Sequence, residues 1–350
     1  MTLALLLALS LPASAQAPEE AVAKVMKRVE RLVASQKGKD AREIGGLDRE
    51  AEALSKELKP LGWKSAPALA AAAQDLKRPE KVRLFAASFL SLIRDPAAFP
   101  ALEDILLNQD QAPVVRAVAA QSVGGQGASD AAVGRALCAA LAQETLPREV
   151  LSDALLSLSR LGCAEPAALV RVARAYGPRP GVKDLPLVAA ALGTLGRSRG
   201  AVSGKALLGL VAYFPPEGDA RAAAIRALDA RRAELANWLV PEALPVVSEA
   251  LRSETGRWDT MIPLIRTASA FGPEAGPVLA RLDKHPDAEV LAEAAEALAA
   301  FKRVEALPAL EAVVAGAMND PRYSPKEGRP DPAVSLARLE KAVAALRRAR

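Results

Sequence analysis

One text recurs along this chain, and it constrains the fold more than any other feature. A unit opens on Pro or Asp, runs through an apolar and basic stretch rich in Ala-Ala, closes near Leu-Gly, and passes into a second periodic stretch. Pro79-Glu-Lys-Val82-Arg83-Leu-Phe-Ala86-Ala87 and Pro113-Val-Val115-Arg116-Ala-Val-Ala119-Ala120 are two copies, their arginines 33 residues apart. Further copies begin at Pro147-Arg148-Glu-Val150, at Asp184, at Asp219, near Trp258 and at Asp287. The closing turns read Val123-Gly124, Leu161-Gly162, Leu195-Gly196 and Phe271-Gly272. Self-similarity of this kind marks an array in which no unit buries its apolar faces alone, so that each is stabilised by its neighbours.

Within each unit the apolar residues fall at helical spacing, as with Val133, Leu137 and Leu141, or Val202, Ala206, Leu207 and Leu210. Such stripes predict amphipathic helices. Composition agrees: 51% of the 350 residues are apolar and only 3% aromatic, with alanine and leucine dominant, so helix formers abound and strand formers are scarce. Proline at a first helical position costs no hydrogen bond. Asp184, Asp219 and Asp287 are expected as N-caps, and the glycines of the closing turns as left-handed helix ends. The fold class is all-α.

On these residues the text resembles HEAT repeats, the α-solenoid family of stacked helix pairs. The Pro-x-x-Val-Arg-x-x-Ala-Ala and Leu-Gly positions carry the resemblance over about residues 61–320, although the unit near Trp258 lacks the arginine. The expected organisation is a leader over 1–17, capping helices over 18–60, repeats over 61–320, and a loop and last capping helix over 321–350. In the flanks, Val22, Val25, Met26, Val29, Leu32 and Val33 mark the first helix, and 333–348 the last. The resemblance implies that Arg83, Arg116, Arg148 and Arg221 form a structural polar ladder along the first helices. It also implies an extended binding surface, and permits two rivals: an enzyme attaching bilins to light-harvesting proteins, or a self-associating envelope component.

The opening MTLALLLALSLPASAQA contains no acid or base and an apolar run over 3–11, followed by Ala13-Ser14-Ala15 and Ala15-Gln16-Ala17. That pattern reads as a secretory signal peptide cleaved after Ala15 or Ala17, and predicts a periplasmic or secreted protein. No stretch is long and apolar enough to predict a membrane span. Cys138 and Cys163 are too few for a disulfide framework but able to pair in an oxidising compartment. Forty-six basic and 41 acidic residues are interspersed, so no basic stripe points to nucleic acid.

Catalytic constellations are not found. The one histidine, His285, lies between Asp283 and Asp287 and is expected to be a solvated residue beside a helix cap rather than a metal ligand. Gly204-Lys205 lacks the first glycine and the hydroxyl residue of a phosphate loop, and Gly124-Gly125-Gln126-Gly127 follows a helix rather than a strand. No cofactor and no metal are expected, and the chain is read as non-catalytic.

Two surfaces remain as candidates for a protein or peptide partner. On the second helices the outward residues run from Glu103 and Asp104 to Arg135, Arg171, Arg174 and Lys205, a face basic in its middle. The longer loops, 176–183, 214–218, 252–258 and 319–332, all follow a second helix and precede the next first helix, which places them on one edge. Tyr176, Tyr213, Phe214, Trp258 and Tyr323 lie in or beside these loops. In a chain so poor in aromatics that concentration marks the edge as the preferred contact surface.

Overall fold

A computed structural model describes residues 17–35, 45–163, 165–178, 180–181, 183–254, 257–324 and 331–350, apart from the side chains of 45–51. The expected leader falls outside them, save for Ala17. Two compact units divide the chain, Met1–Ser157 and Leu158–Arg350. Among the described residues there is no strand, and every unit is built of paired helices.

The first unit contains α1 (Pro18–Ser35), α2 (Gly45–Leu58), α3 (Ala66–Gln74), α4 (Glu80–Ser91), α5 (Phe99–Leu107), α6 (Pro113–Ser122) and α7 (Asp130–Ala142), and α8 (Arg148–Leu158) ends at the division. Helix α3 packs on α4 and α5 on α6, while α4 stacks on α6 in one row and α3, α5 and α7 follow one another in a second row. Val82 and Val115 are fully buried, as are the pairs Ala86-Ala87 and Ala119-Ala120, whose small side chains let the rows approach closely. Helix α1 buries Val22, Val25, Met26 and Val29, the stripe read from sequence.

The second unit continues the pattern with α9 (Pro166–Tyr176), α10 (Leu185–Arg197), α11 (Ala201–Tyr213), α12 (Asp219–Asp229), α13 (Arg232–Trp238) and α14 (Val240–Ser253). It ends with α15 (Trp258–Ala270), the short α16 (Gly276–Leu279), α17 (Ala288–Ala300), α18 (Leu307–Gly316) and α19 (Pro332–Ala349). One row is α10, α12, α15, α17 and α19; α9, α11 and α14 form the other. The architecture is therefore an all-α solenoid of helix pairs. Helix α19 closes it by burying Leu339, Val343 and Leu346.

The polar ladder exists, with one change of register. Buried Arg83 donates to Gln111 Oε1, and the Gln111 amide donates to the Ala73 carbonyl at 2.8 Å. One repeat later Arg116 donates to the Leu106 carbonyl at 2.9 Å and to Gln143 Oε1, and the Gln143 amide donates to the Leu107 carbonyl at 2.9 Å. Each arginine–glutamine pair thus satisfies carbonyls orphaned at the end of a second helix. Arg221 holds the equivalent place, facing Ser253 and Glu254. Arg148 does not: it is exposed at the start of α8. The ladder arginine follows a buried apolar residue, Val82, Val115 or Ala220, and after Val150 that position is Leu151, which is buried as an apolar substitute.

The closing glycines also divide. Gly272 has φ +84° and ends its helix in the left-handed region as expected. Gly196 lies inside α10, where an added Cβ would sit 3.2 Å from Ala227, and Gly162 lies as close to the backbone at Arg197 and Ser198. These two serve close approach instead. Of the aspartates, Asp287 is an N-cap accepting from the Glu289 and Val290 amides at 3.0 and 3.4 Å. Asp184 holds the N-cap position of α10, whereas Asp219 is the first helical residue of α12 behind Gly218.

Candidate functional site

The long loops of the second unit leave α9, α11, α14 and α18, and three of them are joined by direct contacts. Tyr213 ends α11 and is 48% exposed. The Arg174 guanidinium, on α9, lies over the tyrosine ring 5.2 Å from its centre. On its other flank Phe214 meets it edge-on, ring centres 5.6 Å apart at 62°. Phe214 itself is only 1% exposed, and Gly177 leaves it room: a Cβ there would come within 2.3 Å of the ring. Burial therefore removes Phe214 from the contact residues and makes it the anchor that sets the Tyr213 ring.

Beyond Phe214 the chain turns through Glu217 at φ +60°, a conformation that side chains adopt at a cost. Buried Glu254, at the end of α14, accepts from the Glu217 amide at 3.0 Å and pairs with Arg221 Nε at 3.2 Å. From the next loop Arg257 donates to the Glu217 carbonyl at 3.2 Å and to Asp219 Oδ1 at 2.9 Å, and grips Asp259 with Nε and Nη2 at 3.3 and 3.1 Å. Hydrogen bonds to Asp259 and Asp219 raise the Arg257 pKa, and the same contact holds the Asp259 carboxyl below its ordinary 3.8. Trp258 begins α15 within this clasp and is half-buried. A cleft of 440 Å³ lies between the ends of α11 and α14, lined by Phe214, Pro216, Arg221, Pro245 and Glu249 among others.

The remaining site residues are more dispersed. Tyr176 is half-buried at the end of α9. Tyr323 lies in a separate stretch of the edge, where Arg322 Nη1 donates to the His285 carbonyl at 3.2 Å and its guanidinium binds Asp320. Burial raises the Tyr323 phenol above its ordinary 10.0. His285 is buried rather than solvated, its Nδ1 accepting from the Asp287 amide at 3.1 Å, a local turn that packing has enclosed. On the helices, Arg171 and Arg174 are exposed on α9, and Lys205 on α11 is paired with Glu242 at 2.7 Å. Arg135 is exposed on α7 of the first unit. Sequence reasoning missed Trp238, 60% exposed at the end of α13, and Trp63, 55% exposed, because only aromatics in the long loops were weighed.

Residues 51–124 match the family model of HEAT repeats. No curated protein matches the chain. The match and the helix pairs together support a HEAT-repeat protein. Among the described residues no helix is long and apolar enough to cross a membrane, and no group of His, Cys, Asp and Glu is arranged to hold a metal ion.

Proposed function

We propose that the protein is a non-catalytic binding scaffold that engages a protein or peptide through the loop edge of its second unit. The observation that carries the reading is Tyr213, half in solvent, with Arg174 over its face and buried Phe214 beside it. Tyrosine and arginine dominate interface energetics, and a ring already fixed in place loses little entropy when a partner docks. The clasp of Arg257, Asp219, Asp259 and Glu254 ties down the loops on which the surface rests. HEAT repeats are commonly protein-interaction scaffolds, which supports the same reading.

A periplasmic or secreted location belongs to this proposal. It is supported by the apolar run over 3–11 and by the cysteines, both of which are disulfide-bonded, since disulfides persist in oxidising compartments. The test is affinity capture from the envelope fraction with the wild type and with Tyr213→Ala and Trp258→Ala. Each substitution should reduce partner recovery about tenfold with helicity retained. Equal recovery overturns the proposal, as does a cooperative loss of helicity that makes both rings packing residues.

A further inference from the structure

A second concavity lies in the first unit, far along the sequence from the loop edge. It measures 660 Å³ and is lined by the end of α2 and the 3-10 segment after it on one side and by the end of α4 on the other. That volume falls within the roughly 300–1,000 Å³ typical of small-molecule sites. Its lining sorts by depth. Leu58 and Phe89 are buried, Ile93 is half-buried, and the exposed lining residues are Leu92 and the three cations Lys56, Lys59 and Arg94. Among the described lining residues there is no acid, and Glu52, one turn from Lys56, pairs with it at 2.9 Å on the open helix surface.

The hydroxyls of the lining are already engaged, Ser55 donating to the Glu52 carbonyl at 2.8 Å and Ser65 to the Gly62 carbonyl at 2.7 Å. The side-chain donors left for a ligand are therefore cationic, and the deeper surface offers only apolar contact. A peptide brings amides that need partners at every residue; an alkyl chain needs none. The wall carrying Arg94 is also built with care. The Gln126 amide donates to the Ser91 carbonyl at 3.0 Å and Asp95 accepts from the Ala97 amide at 2.9 Å, so the turn between them is held at both ends. Within it Arg94 stands at φ +51°, where glycine would be the easy choice. Strain kept at a residue that faces a cavity points to use of its side chain.

We propose that this cavity binds an amphipathic anion, an unbranched alkyl chain ending in a carboxylate, with the chain against Leu58, Phe89 and Leu92 and the carboxylate at Arg94 and Lys59. The site is independent of the loop edge. Calorimetric titration of the full chain with monomeric dodecanoate tests it, beside dodecanol, dodecyltrimethylammonium and the variant Lys59→Ala/Arg94→Ala. Both substituted side chains are exposed, and circular dichroism verifies that the variant retains its fold. Dodecanoate should bind saturably at one site. The alcohol, and the variant with dodecanoate, should each bind about tenfold or more weakly, the loss that one charge-assisted hydrogen bond carries, and the ammonium should not bind. Absence of saturable dodecanoate binding overturns the proposal. So does a variant that binds like the wild type, or an ammonium that binds as tightly as the carboxylate.

Discussion

Two glycines of the second unit do opposite things to the helices that hold them, and the difference is a matter of ångströms. At Gly196 in α10 an added methyl would lie 3.2 Å from both the Cβ and the carbonyl oxygen of Ala227. Backbone atoms of α12 cannot step aside as the end of a flexible side chain would. Gly196→Ala is therefore expected to destabilise the protein by about 1–3 kcal/mol, the usual cost of overpacking. At Gly209 in α11 nothing lies within 4 Å of the new Cβ, so Gly209→Ala should instead add up to about 1 kcal/mol through helix propensity alone. Urea unfolding of the two variants reads the contrast, and equal signs would refute it. This distinction was not legible beforehand. Leu195-Gly196 and Phe271-Gly272 are alike as text, yet only Gly272 takes a positive φ. Tyr213 and Phe214 were adjacent candidates in the same way, until burial separated the anchor from the exposed ring.

Between helices, the recurring arginine is what turns a similarity of sequence into a stack. Arg116 is 2% exposed and faces no carboxylate, only the Leu106 carbonyl and Gln143 Oε1, and burial alone pulls its pKa below the ordinary 12.5. Arg116→Ala would strand the buried Leu106 carbonyl and leave a void, at a cost of about 3 kcal/mol or more. Thermal or urea denaturation of the variant measures that loss. Helix pairing, the terminal helices α1 and α19 and the order of the long loops were all legible, because apolar period and proline placement act locally. The ladder's register was not, since Pro147 suggested an alignment that Val150 and Leu151 correct. Nor were its partners Gln111, Gln143 and Glu254, which act on groups 27–38 residues away.

Across the molecule, 46 bases and 41 acids nearly cancel, and many of the ion pairs are exposed enough to contribute little singly. A denser lattice ties α15, α17 and α19. Glu293 binds Arg266 at 2.8 Å and Arg338 at 2.6 Å, and Arg338 also reaches Glu289 and Glu296. Burial works to raise the Glu293 pKa, but the bonds from Arg266 and Arg338 together outweigh it and hold the carboxyl below its ordinary 4.5. Asp259 and Asp320 are held below 3.8 in the same sense by Arg257 and Arg322. A carboxyl that binds its proton less readily folded than unfolded stabilises the fold fully above its ordinary value. That contribution is lost as pH falls through the lowered one. Asp229 runs the other way, because burial raises it above 3.8 despite Arg232, and its protonation offsets part of the loss. Glu52 and Glu234 are lowered as well, so five lowered carboxyls against one raised, with the bases still charged and repelling one another, set the net sign. The thermal midpoint should change little from neutrality to about pH 5 and fall steadily below about 4.5. Glu293→Gln should lower the midpoint at neutral pH and shrink its acid-dependent drop, because the substituted side chain no longer titrates while Arg266 and Arg338 keep only a neutral acceptor. A drop of the same size in the variant would place the acid sensitivity outside the α15–α17–α19 lattice.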